Sequence, residues 1–109
     1  PHAFGPYRAK AFAMLEDEIS AEEAHSYGVI SRLSDDADFD EMLEKTATSM
    51  ANASPLSMKL IKQSINAAAT NDLSMQLDLE RDFQDKAARA PDFREGVAAF
   101  REKRKAVFG

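Results

Sequence analysis

Apolar side chains return at intervals of three and four along nearly the whole chain, and short polar breaks separate the runs that carry this period. A repeat near 3.6 residues puts such positions on one face of a helix, so the pattern predicts successive helices with little or no strand. Tyr7, Ala11, Met14 and Leu15 form the first stripe, with Phe12 beside it. Pro6 suits the start of that helix, where its missing N–H costs little. The acidic cluster Glu16, Asp17 and Glu18 interrupts the pattern. In "ISAEEAHSYG", Ser20 and Glu23 have the spacing of a capping box, in which each side chain satisfies a backbone donor of the other. Gly28 is placed to close that short helix in the left-handed conformation. "VISRL" is β-prone but only five residues long, so a short extended segment is expected rather than a sheet.

Farther on, the loop "SDDADFD" offers Asp36 or Asp38 as the cap of a helix with Phe39, Met42, Leu43, Ala47, Met50 and Ala51 on one face. Ser54 and Pro55 end it and open another, with Ser54 as cap and Pro55 in the first turn. Ile61, Ile65, Ala68 and Ala69 are its expected buried stripe. "TNDLS" breaks the chain again, and Ser74 is the predicted cap of a helix carrying Met75, Leu79, Phe83 and Ala87. Pro91 stops that helix. Asp92 and Glu95 read as a second capping box, opening a last helix with Phe93, Val97 and Phe100 in its stripe. The expected fold class is all-α: five or six short amphipathic helices in a single domain over residues 1–109.

Composition narrows the picture. A length of 109 residues suits one domain with a modest core. No run of about 18 apolar residues occurs, so no membrane-spanning helix is expected. The opening "PHAFGPYRAK" lacks the apolar segment of a secretory signal. The chain has no cysteine, which excludes disulfides and Cys-ligated metals and fits a reducing compartment; the expected location is cytoplasmic. The formal net charge of −5 is unevenly spread. Residues 1–90 carry 9 Lys and Arg against 16 Asp and Glu, whereas residues 91–109 carry 5 against 3. That balance argues against nucleic acid as a partner, since a general binder has a broad basic footprint, and leaves room for a local anion site near the C-terminus.

A self-contained active site is not evident. His2 and His25 are far apart, and only Glu22 lies at helical spacing from His25, so no metal site is expected. The glycines are isolated and build no phosphate loop, and no serine stands in a strand–turn–helix context. The acidic runs lack the apolar flanks that raise a catalytic carboxyl's pKa and read as caps and solvated faces. The tail differs. Arg101, Lys103, Arg104 and Lys105 fall within five positions, and Phe100 and Lys103, three apart, project side by side on a helix. Phe83 lies on the preceding helix, which folds back at Pro91. An apolar surface beside a lysine suits a ligand that is apolar at one end and phosphorylated at the other. The same residues also describe a core stripe and a solvated helix end, because cations favour helix C-termini.

Four stretches resemble the C-terminal part of the enoyl-CoA hydratase/isomerase, or crotonase, family. "ISAEEAHSYGVISRL" is similar to the family's I-S/D-A-x-E-A-x-x-x-G-L-V segment, and "ASPLSMKLIKQSIN" to its P-x-x-x-x-x-x-K-x-x-I/V-N helix, with Lys62 and Asn66 in register. "LERDFQD" resembles the helix that follows, and "DFREGVAAFREKRKAVF" the family's D-x-R-E-G-x-x-A-F-x-E-K-R-x-P-x-F ending. Leu15-Glu16-Asp17 departs from the family's L-T-G turn, and Ala106 stands where proline is common.

The resemblance implies an acyl-CoA thioester as substrate and partner, no cofactor, and a fold with an N-terminal spiral of ββα units ahead of a helical assembly region. Backbone donors for the thioester oxygen and the catalytic acids, such as the two glutamates of the hydratases, belong to the spiral. On this basis the chain is the helical C-terminal portion of such an enzyme, with no catalytic residue of its own and inactive alone. The resemblance assigns Phe83 to the acyl pocket, Phe100 to acyl or pantetheine contact, and Lys103 to a CoA phosphate. It also implies a homo-oligomer, trimer or hexamer for the whole protein, with a dimer or swapped oligomer for the isolated chain. The other reading of the residues is a free-standing helical protein-interaction module without a ligand.

Overall fold

A computed structural model of the chain describes residues 5–15 and 18–109. These residues form six α-helices and no strand: α1 (Gly5–Leu15), α2 (Ala21–Ser26), α3 (Phe39–Ala51), α4 (Pro55–Ala67), α5 (Leu73–Ala88) and α6 (Pro91–Glu102), with a 3-10 turn at Asp36–Asp38 before α3. The all-α expectation is met. The Glu16–Asp17 departure and His2 lie outside the described residues. The chain clusters into two compact units, Pro1–Glu44 and Lys45–Gly109. Their boundary falls inside α3, a continuous helix, so no linker in the sequence marks it.

In the first unit, α1 begins at Gly5, whose positive φ of 75° only glycine adopts freely. The guanidinium of Arg8 lies 4.3 Å from the centre of the Tyr27 ring, a cation–π contact between α1 and the end of α2. The Ser20–Glu23 capping box is present on both sides, with N–O distances of 3.1 and 2.9 Å. Gly28 closes α2 as expected: it takes φ 75°, its N–H reaches the carbonyl of His25, and the N–H of Val29 reaches that of Ala24. This is the paired bonding of a Schellman motif. "VISRL" is irregular, without a strand. The cap expected at Asp36 or Asp38 is replaced by the 3-10 turn, with Asp35 preceding it and no side-chain cap bond there.

In the second unit α5 contacts both α4 and α6. Its buried residues are Leu60 (5% exposed), Ala99 (2%) and Ser54. Ser54 caps α4 by accepting from the Ser57 N–H and donates its hydroxyl proton to Asp92 in the first turn of α6. One side chain thereby closes a helix start and ties it to another helix. Gln76 joins α5 to α4 by donating to the carbonyl and the hydroxyl of Ser64. The ion pairs of Arg81 with Asp78 and Asp82, and of Arg89 with Asp85, are exposed and contribute little.

Three local expectations are corrected. The cap of α5 is Asp72, not Ser74: its carboxylate accepts from the Met75 N–H at 2.8 Å, and its charge suits the helix N-terminus. Asp92 and Glu95 form no capping box, since Pro91 opens α6 without a side-chain cap and both carboxylates serve other partners. The stripe assigned to α4 is the wrong face. Ser57, Leu60, Ser64 and Ala67 are turned inward, whereas Ile61 and Ile65 are exposed. The inward positions recur at three, four and three residues, a helical period like that of Ile61, Ile65 and Ala68; small polar residues on that side hide it from a reading of hydrophobicity alone.

Candidate functional site

Two grooves on the second unit carry the aromatic residues singled out above. The first, of about 540 Å³, lies between α4 and α5 and is walled by Leu60, Ile61, Ile65, Leu77 and Phe83, with Arg81 at its polar side. The second, of about 440 Å³, is lined by Leu56, Phe93, Val97, Phe100, Arg101 and Phe108. Ser57 and Ala87 contribute to both, so the grooves adjoin. Phe83 and Phe100 therefore lie in neighbouring grooves rather than one cavity, and Lys103 lines neither.

The second groove exists because of how α6 packs. Ala99 is buried and Gly96 half-buried, while Phe93 and Phe100 point outward; Phe100 is 86% exposed. Ala99 thus makes the packed face and the large apolar residues line the open side, which goes against the reading of them as a core stripe. A side chain at Gly96 would meet open space, with no atom within 4 Å of an added Cβ.

Lys103 does not continue the helix. It takes φ 53° and ψ 37°, the left-handed conformation, and is the one non-glycine residue with positive φ among the described residues. Its N–H bonds the carbonyl of Phe100, and that of Arg104 the carbonyl of Ala99, the same paired closure as at Gly28. A non-glycine residue there costs about 1 kcal/mol. The reversal also undoes the expected side-by-side projection of Phe100 and Lys103, because i,i+3 geometry holds only inside the helix.

Past the reversal the tail is fastened to α6. Both carboxylate oxygens of Glu95 accept from the guanidinium of Arg104, at 2.6 and 3.0 Å, and one of them also accepts from the Val107 N–H at 2.9 Å. Arg104 bonds Glu102 as well, at 2.6 Å. The Arg104 guanidinium, helped by the Val107 N–H, holds the Glu95 carboxyl down at about 2, while the two glutamates push Arg104 up. Arg104 is neutralised by this arrangement. Arg101, Lys103 and Lys105 form no ion pair among the described residues, so the free positive charge of the tail resides on them. The sequence reading missed the Glu95–Arg104 pair because its members are nine residues apart and meet only across a chain reversal.

His25 is exposed in the last turn of α2. Among the described residues no group of three or more His, Asp or Glu side chains is arranged to hold a metal ion, and no helix is long and apolar enough to cross a membrane.

This all-helical fold, with its paired grooves and basic, aromatic tail, has relatives. A family model described as enoyl-CoA hydratase/isomerase matches residues 1–109, and the chain belongs to that family. It is 44% identical over 108 residues to the 1,2-epoxyphenylacetyl-CoA isomerase of Escherichia coli, covering 99% of this chain and 41% of that protein. It is 36% identical to a probable enoyl-CoA hydratase of Rhodobacter capsulatus, covering 95% of this chain and 40% of that protein. Among solved structures, an enoyl-CoA hydratase from Bacillus anthracis matches with a TM-score of 0.92 and 29% identity, over 99% of this chain and 42% of that one. The chain spans about two fifths of the length of these relatives.

Proposed function

We propose that residues 1–109 are the C-terminal helical portion of an enoyl-CoA hydratase/isomerase-type enzyme of fatty acyl-CoA metabolism, one that hydrates 2-enoyl-CoA thioesters. In this reading the portion grips the substrate and supplies assembly surface, and the reacting groups are contributed by residues outside it. The carrying observation is the α6 terminus. An exposed aromatic, Phe100, borders an apolar groove, and beyond it Lys103, which forms no ion pair among the described residues, stands in a locally basic stretch of an acidic chain. That pairing of apolar surface with cation matches an acyl-pantetheine arm that ends in phosphates. Phe83 contacts the acyl chain from the adjoining groove, and Arg101 and Lys105 raise the potential around the polyanion. The exposed apolar faces of α4 and α6 are the surfaces on which other parts of the enzyme, or further subunits, are seated. The family match over the full chain gives no support to a free-standing, ligand-free module.

Calorimetric titration of crotonyl-CoA into the intact enzyme tests the reading. Lys103→Ala is expected to weaken binding about fivefold, the upper range for an exposed charge contact, and Phe100→Ala to weaken it as well. Unchanged affinity in both variants would overturn the assignment. Residues 1–109 alone are expected to give no hydration of crotonyl-CoA and to sediment as dimers or larger species; robust turnover, or monomer only at about 100 µM, would count against the respective parts of the proposal.

A further inference from the structure

We infer that Glu95 is a positioning residue for the anion-binding end of the chain: by clamping Arg104 and the Val107 N–H it fixes the direction in which Lys103 leaves α6. The inference rests on the CoA reading above and adds to it the group that aims the lysine.

Three observations converge on Glu95. Lys103 is the single residue between the end of α6 at Glu102 and the anchored Arg104, and its backbone is in a conformation that non-glycine residues avoid. Left free, such a residue relaxes to a right-handed or extended conformation. Here it is prevented from doing so by bonds on its C-terminal side. The guanidinium of Arg104 takes both oxygens of Glu95 across nine residues, and the Val107 N–H takes one of them across twelve. Arg104 further bonds Glu102 and the carbonyl of Lys105, so the tail is tied on both sides of the reversal. Relaxing Lys103 would pull Arg104 off Glu95.

The same carboxylate has a second effect. It cancels the charge of Arg104, leaving Lys103 as a cation with no ion pair among the described residues. The Glu95 carboxyl, held near 2, stays ionised throughout the neutral range, so the clamp is permanently set. Glu95 does not itself touch the ligand in this account; it acts through the backbone on both sides of Lys103.

The test compares two probes on the intact enzyme: crotonyl-CoA, and crotonyl-pantetheine, which carries the same acyl arm without the phosphates. Glu95→Gln is expected to raise the Kd for crotonyl-CoA about fivefold, matching Lys103→Ala, and to leave that for crotonyl-pantetheine unchanged. In a Lys103→Ala background Glu95→Gln is expected to add nothing to the loss for crotonyl-CoA. Should Lys103→Ala weaken crotonyl-CoA binding while Glu95→Gln does not, the positioning role is wrong and the CoA reading stands. Equal weakening of both probes by Glu95→Gln makes the clamp merely structural and likewise overturns the role. Should Lys103→Ala itself have no effect, the CoA reading falls and takes this inference with it. Arg104→Lys, which keeps the charge but loses the two-pronged contact, carries the same comparison if Glu95→Gln does not fold.

Discussion

Helices α5 and α6 lie against each other and carry apolar stripes of the same period. In α5 the positions Leu79, Phe83 and Ala87 are half-buried, continued at the N-terminal end by Gln76, whose amide reaches across to Ser64. In α6 the stripe of Phe93, Val97 and Phe100 lies on the open side, and the helix packs instead through Asp92 and Ala99. Small side chains let a helix approach its neighbour closely, and the bulky ones are then left to another surface. The contrast teaches that a periodic stripe identifies a face to be covered, and that the covering body need not be the chain's own core. The α4 helix repeats the lesson, with Leu60 inside and Ile61 and Ile65 outside.

The largest expected effect separates the two kinds of face. Leu60→Ala should cost about 2 to 4 kcal/mol in urea unfolding of the chain, because it opens a cavity at a residue with 5% exposure. Phe100→Ala should cost less than about 0.5 kcal/mol in the same assay despite the larger side chain. Comparable losses would mean that Phe100 is covered in solution and that the contrast between the helices is wrong.

Next come the helix ends. Asp72→Ala should destabilise by about 1 kcal/mol, whereas Ser74→Ala should be near neutral. At the other end of the pair, Lys103→Gly should stabilise by about 0.5 kcal/mol, since glycine relieves the left-handed residue at some entropic cost. A loss on Lys103→Gly would show that the reversal is not strained.

The smallest effect is a pH dependence. The Glu95 carboxyl is depressed from 4.5 to about 2, so its stabilising contribution is fully present above the ordinary value and is lost as pH falls through the depressed one. Wild type should therefore exceed Glu95→Gln in stability at pH 6, with the gap closing between about 4.5 and 2. A gap that is constant with pH would remove the ionic clamp from α6.

Much of the fold was legible in the sequence because local signals and tertiary structure agree. The Ser20–Glu23 box, the Gly28 closure, the Ser54-Pro55 start and the Pro91 break all appear where their chemistry requires, and they fix the helix order. What failed was rotational. Ser57 and Ser64 are half-buried on the packed face of α4, where Ser64 accepts from Gln76, so polarity there does not mean exposure. Asp92 and Glu95 have capping-box spacing, yet each is claimed by a partner distant in sequence, Ser54 and Arg104. The ligand candidates Phe83 and Phe100 come from stripe and resemblance and line the two grooves, whereas the left-handed turn that takes Lys103 out of helical register leaves no glycine to announce it.

Gly96 gives a practical return. It sits in the middle of α6 at the floor of the second groove, where a Cβ would meet nothing, and the chain is devoid of thiols. A cysteine introduced there becomes the sole attachment point in these 109 residues, facing the space under Phe100 and Phe108. A fluorophore or spin label at that spot would report directly on whatever enters.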